Sequence, residues 1–240
     1  MTLEGKNILV TGGAVRVGAA LVRAIAAAQG TVLIHYNGST AQAAALKAEL
    51  ESQGATAQLL PADLSHPQQV SELMVQARQY GPLYALVNNA AIFENIELDS
   101  TKLSDWQRHL DINLTAPFLL SQAFWRAAGD APGRIVNILD WRAMRPGPDH
   151  LPYTVSKVAL AGLTRSLAAA MAPTISVNGI ALGAILPPSR GAAKQDILNH
   201  IPAQRWAELD EVGQTLLFLL NGPSYITGEI IHLDGGRHLV

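Results

Sequence analysis

The chain has 240 residues, a formal net charge of −2, 49% apolar and 15% charged residues, and no cysteine. That composition supplies a large core and argues against disorder, while the missing cysteines exclude disulfides and thiolate metal sites. No Lys/Arg cluster marks a nucleic-acid or anionic-membrane surface, MTLEGKNILV lacks the basic-then-apolar order of a signal peptide, and the apolar runs are short, so a cytoplasmic protein is expected.

From the N-terminus, NILVT (Asn7 to Thr11) reads as a first strand. Val17, Leu21, Ile25 and Ala28 then recur at helical spacing. TVLIHY is a second strand, and AQAAALKAELESQG is an alanine-rich helix stopped by Gly54. AQLLPAD, YALVNNA and RIVNIL are further strands, each with a helical stretch after it, and ISVNGIA and EIIHLDGG follow near the end. Continuous apolar strands alternating with helices imply parallel crossovers, hence an α/β, Rossmann-like, doubly wound parallel sheet of seven strands with ligands at the strands' C-terminal ends. Length alone allows one domain or two. Without a linker or repeat, a single domain over 1–240 is expected.

Three motifs carry chemistry. TGGAVRVG runs from a strand through small residues into a helix, so Gly12, Gly13 and Gly18 would let a pyrophosphate approach free backbone amides. The second strand ends in His35, Tyr36, Asn37, Gly38 and Ser39. An NAD site commonly has an acid here for the ribose hydroxyls, and the next acid is Glu49. Without that carboxylate a 2′-phosphate is not repelled, and Asn37, Ser39 and Arg16 supply donors, so NADPH is the expected cofactor. Tyr153 and Lys157 stand four apart on one helix face, where the lysine is expected to lower the phenol's pKa toward working pH. The seven histidines show no ligand spacing, and no metal is expected.

With these residues in place the chain resembles the short-chain dehydrogenase/reductase family over essentially its full length. The family's TGxxxGxG is TGGAVRVG here, with Thr11 and Val17 in the turn, and its NNAG is Asn88, Asn89, Ala90, Ala91. Asp63, beside Leu64, matches the acid that contacts adenine. Asn113 matches the tetrad asparagine, expected to support a water relay behind Lys157, and Tyr153/Lys157 match YxxxK. The resemblance also implies a homotetramer or dimer assembled through the helices around Leu114–Trp125 and Tyr153–Met171. The family's Pro-Gly after the sixth strand is Leu182-Gly183 here, and the segment about 183–206 is expected to be a substrate lid.

The departures narrow the substrate. Where most of the family has a serine, thirteen residues before the tyrosine, this chain has Asp140, and Arg16 replaces a glycine of the turn. Together with HYxxS after the second strand, these changes resemble pteridine reductases and dihydromonapterin reductases, in which Phe93 matches a phenylalanine that stacks on the pterin. The chemistry agrees: a carboxylate cannot donate to a developing oxyanion, but it suits a substrate presenting N–H donors. Two departures run against the subgroup, Gly38 where it has an arginine and Ala91 where it has a pocket serine.

The expectation is an NADPH-dependent reduction of a 7,8-dihydropterin, of dihydromonapterin or dihydrobiopterin type, to the tetrahydropterin. Asp140, Tyr153, Lys157 and Asn113 would be catalytic, with Arg16, Phe93, Asp140 and Tyr153 on the substrate. Thr11, Gly12, Gly13, Arg16, Val17, His35, Tyr36, Asn37, Ser39, Asp63, Leu64, Asn89, Ala90, Tyr153 and Lys157 would hold the cofactor. The alternatives are an NADPH-dependent carbonyl reductase, such as one for a 3-oxoacyl thioester, and a non-catalytic nucleotide-binding protein.

Overall fold

The short apolar runs form β1 (Asn7–Val10), β2 (Thr31–Tyr36), β3 (Ala57–Pro61), β4 (Leu83–Asn88), β5 (Gly133–Asp140), β6 (Ile175–Leu182) and β7 (Ile230–Leu233). Every neighbouring pair is parallel, and the sheet order is β3-β2-β1-β4-β5-β6-β7. The structure, a computed structural model, describes residues 2–186 and 196–240. Residues 187–195, in the middle of the segment expected to be a lid, lie outside the described residues.

Helices α1 (Arg16–Ala27), α2 (Thr40–Ser52), α3 (Pro67–Arg78), α4 (Leu103–Leu110), α5 (Ala116–Ala128), α6 (Leu151–Met171), α7 (Asp196–Asn199) and α8 (Leu209–Asn221) connect the strands. The twofold period of a strand divides β1 between two cores. Ile8 and Val10 pack with Leu21, Ile25 and Val212, whereas Leu9 packs with Leu73, Leu120 and Phe124. Burial on both faces explains why the strands read as unbroken apolar runs. The strand order reverses between β1 and β4, which opens a crevice at their C-terminal ends.

Two features depart from a simple strand–helix alternation. No helix follows β4 until α4, and α4 continues into α5 through a π-helical turn at Asp111–Thr115, where the Ala116 N–H donates to the Asp111 carbonyl. Asn113 sits buried in that turn. Beneath the crevice, Asn88 Nδ2 donates to Asn137 Oδ1 at 2.8 Å, and Asn137 Nδ2 donates to Thr164 Oγ1 at 2.9 Å. This buried amide ladder ties β4, β5 and α6 together. Among the described residues no helix is long and apolar enough to cross a membrane.

Candidate active site

The turn after β1 is built for close approach. Gly12 has φ +60°, and a Cβ there would lie 2.9 Å from Ala90 Cα. A Cβ on Gly18 would lie 2.0 Å from the Gly12 carbonyl oxygen. Thr11 Oγ1 accepts from the Asn89 and Ala90 N–H groups at 2.9 and 3.0 Å, and Asn89 Nδ2 donates to the Thr11 and Gly12 carbonyls at 2.9 and 3.0 Å. Expected beside the cofactor, Thr11 and Asn89 therefore spend these groups locking one turn to the other, while Gly13 packs its Cα face against Val22 and Ile34.

His35, one of the residues expected at the cofactor, has its ring buried beneath the turn, with Nδ1 accepting from the Gly12 N–H at 3.0 Å and Nε2 facing the Ala62 carbonyl at 3.1 Å. Burial pulls its pKa down to about 4 against the Ala62 bond and the Asp63 charge. A neutral ring with both nitrogens used shapes the turn and leaves none for a ligand.

The open groups fit a dinucleotide. Neither α1 nor α2 has a side-chain cap or an acid in its first turn, so both helix N-termini keep unspent amides. Arg16 is exposed at the mouth of α1 with φ +53°, so its backbone keeps the left-handed conformation that suits the glycine it replaces. Val17 behind it leans on the core. Tyr36 is half-buried, Asn37 and Gly38 are exposed, and Ser39 begins α2 with its hydroxyl unused in capping. Asp63 Oδ1 accepts from the backbone and hydroxyl of Ser65 at 2.9 and 2.7 Å, and these bonds, the backbone one foremost, hold its carboxyl below the usual range. Leu64 buries its side chain in the core, which leaves its backbone for a ligand.

At the end of β5, Asp140 Oδ1 accepts from the Arg142 N–H at 2.9 Å and Oδ2 accepts from the Tyr153 hydroxyl at 3.0 Å. Pro152 near its N-terminus starts α6, and the helix buries Tyr153 and Lys157 on one face. The expected electrostatics are reversed here. Burial first, then Asp140, pushes the Tyr153 phenol well above 10. Lys157 is itself pulled down to about 8 by burial, with Asp140 opposing, and its ammonium donates to the Ile138 carbonyl at 2.7 Å. The lysine lies 5.8 Å from the centre of the tyrosine ring. A phenol shifted in this direction keeps its proton and can donate it.

Asn113 spends its side chain within the protein. Its Oδ1 accepts from the Ile92 N–H at 2.9 Å, and its Nδ2 donates to the Ile92 carbonyl at 3.1 Å and to Ser156 Oγ at 3.0 Å. Ser156 in turn donates to the Tyr153 carbonyl at 2.6 Å. These side-chain bonds brace the loop after β4 against α6. Phe93, on that loop, is 54% exposed. One side stacks on His150 at 4.1 Å and its edge meets Tyr153 at 4.7 Å, so an aromatic surface stands beside the Asp140–Tyr153 pair.

A carboxylate accepting from a phenol thus stands beside an open aromatic ring and a glycine-built cradle, and the family model described as enoyl-(acyl carrier protein) reductase matches residues 13–238. The chain belongs to the short-chain dehydrogenase/reductase family. It is an oxidoreductase of that family, similar over 240 residues to a 3-oxoacyl-[acyl-carrier-protein] reductase of Synechocystis sp., at 32% identity covering 98% of this chain and 97% of the relative. Among solved structures of the family it is similar to FolM alternative dihydrofolate reductase 1 from Brucella canis complexed with NADP, with TM-score 0.92, 37% identity, and coverage of 100% and 97%. It is also similar to a short chain dehydrogenase from Burkholderia cenocepacia in complex with NADP, with TM-score 0.93, 34% identity, and coverage of 99% of each chain.

Several residues of this oxidoreductase site carry no signal in one sequence. Ser156 and His150 act through contacts made only after α6 docks. Arg142 reaches Asp149 at 2.7 Å across a loop whose path the sequence does not reveal.

Proposed function

We propose that this chain is an NADPH-dependent pteridine reductase that converts 7,8-dihydropterins, of dihydromonapterin or dihydrobiopterin type, to tetrahydropterins. The observation that carries the reading is Asp140, whose Oδ2 accepts from Tyr153 where a carbonyl reductase of this family has a serine hydroxyl to donate. NADPH is supported by the absence of an acid after β2, by Ser39 and Arg16 beside two uncapped helix N-termini, and by NADP in the similar Brucella structure.

When bound, NADPH supplies a hydride to a ring carbon of the C=N bond. The chain's own residues do the rest. Phe93 offers its ring for stacking, Asp140 accepts from N–H donors at the substrate edge, and Arg16 meets the electron-rich edge and the cofactor. Tyr153 gives its O–H proton to the neighbouring ring nitrogen, completing a two-electron, one-proton reduction. Lys157, held at Ile138, is the cation near the phenol and the group for the ribose hydroxyls. The exposed Phe118, Trp125 and Val158 on α5 and α6 support self-association through these helices, which we take to build a homotetramer.

The 3-oxoacyl reductase relatives favour a second reading, reduction of a 3-oxoacyl thioester. Assays with NADPH and NADH against dihydrobiopterin, dihydromonapterin, dihydrofolate and acetoacetyl thioesters decide between them. Thioester turnover without dihydropterin turnover overturns the pteridine reading.

A further inference from the structure

Trp141 directly follows Asp140, and two guanidinium groups lie over its indole: Arg142 Cζ at 4.9 Å and Arg237 Cζ at 4.1 Å from the ring centroid. Arg237 arrives from the far end of the chain on a tightly specified turn. The buried Asp234 carboxylate accepts from the Gly236 and His238 N–H groups at 3.0 and 2.9 Å and lies 2.8 Å from His238 Nδ1. Gly183 permits the contact beneath, since a Cβ there would lie 2.5 Å from Asp234 Cα. The tail is thus held in place, and Arg237 with it.

The two arginines use their donors differently. Arg142 Nη2 donates to Asp149 Oδ2 at 2.7 Å and Nη1 lies 3.7 Å from Asp140 Oδ1, while its buried Nε has no partner among the described residues. Arg237 is partly buried, and no hydrogen bond or ion pair joins its guanidinium to any residue whose side chain is described, a set that leaves out 187–197. Burial, then the charge of Arg142, pulls the Arg237 pKa down, with the carboxylates of Asp140, Asp149 and Asp234 opposing. A partly buried guanidinium stacked beside a second one presents N–H donors that suit an anion. The pair also borders the stacking surface, with Arg142 Cζ 5.8 Å from the Phe93 ring centre.

We propose that Arg237, with Trp141 as its platform, recognises an anionic substituent on the substrate, a carboxylate or phosphate on the side chain of the dihydropterin. The inference rests on the pteridine reading, because Phe93, Asp140 and Tyr153 are taken to hold the ring and so leave the side chain for Arg237.

The test measures kcat/KM of the full-length enzyme for dihydrofolate, dihydroneopterin monophosphate and dihydrobiopterin, in wild type, Arg237→Gln and Arg237→Lys. Arg237→Gln should lower the ratio of an anionic substrate to dihydrobiopterin about tenfold, mainly through KM, as expected when a charged hydrogen bond is lost at a half-exposed site. Arg237→Lys should restore part of that ratio. The anion whose ratio falls further tells carboxylate from phosphate. Equal losses on all three substrates mean that Arg237 only pins Trp141, which overturns the inference and leaves the pteridine reading standing. Should Arg237→Gln misfold, wild type decides: KM for an anionic substrate should rise with salt while that for dihydrobiopterin stays level, and matching salt responses overturn the inference. No turnover of any dihydropterin overturns both readings.

Discussion

Lys157→Met should stabilise the protein near neutral pH and destabilise it at high pH. Burial lowers the lysine from 10.5 to about 8, a penalty on the folded, charged form of roughly 3 kcal/mol. Between those values the unfolded chain holds a proton that the folded chain has lost, so wild-type stability rises with pH across that window. Methionine removes the penalty but leaves the Ile138 carbonyl without its 2.7 Å partner, a loss of about 1 kcal/mol. The variant should therefore be about 2 kcal/mol more stable at pH 7 and about 1 kcal/mol less stable above pH 10.5. Urea midpoints at fixed protein concentration, taken across this range, should show the two curves crossing between pH 8 and 10.5. Parallel curves, or a variant less stable at pH 7, would refute the claim that a buried ammonium is held against its solvation.

Further outcomes follow from the same geometry. Tyr153→Phe should abolish reduction while NADPH still binds by fluorescence titration; in wild type kcat/KM should fall above pH about 8 as Lys157 loses its proton, with no phenol ionisation seen below 10. Asp140→Ser should raise ketone turnover and lower dihydropterin turnover, since a donor replaces an acceptor beside Tyr153, and competition assays with both substrates read the exchange. Gly38→Arg should lower KM for NADPH about tenfold and leave KM for NADH unchanged, because a Cβ there meets nothing within 4 Å and the new cation faces an uncapped helix start. Arg16→Gly should relieve the left-handed strain of φ +53° by about 1 kcal/mol in melting experiments while weakening both pterin and NADPH binding. If only NADPH binding responds, Arg16 is a phosphate ligand alone.

Sequence by itself determined the parallel doubly wound sheet, because burial on both faces leaves apolar runs such as NILV and TVLIHY without a polar alternative. It also determined the glycine cradle, where the steric demand at Gly12 and Gly18 admits no side chain, and the placing of Tyr153 and Lys157 on one helix face. Tertiary structure alone decided which charges act on which groups. Packing decided what the His35 and Asn113 side chains touch: the His35 ring meets the Gly12 and Ala62 backbone, and the Asn113 amide meets Ile92 and Ser156. The tyrosine–lysine spacing implied a lowered phenol, but desolvation depends on neighbours brought from β5 and α6 together, and that burial raises Tyr153 while lowering Lys157. Arg237 over Trp141 joins residues from the two ends of a loop-and-tail contact that no local pattern encodes, since long-range proximity is fixed by the whole sheet and not by any one segment of it.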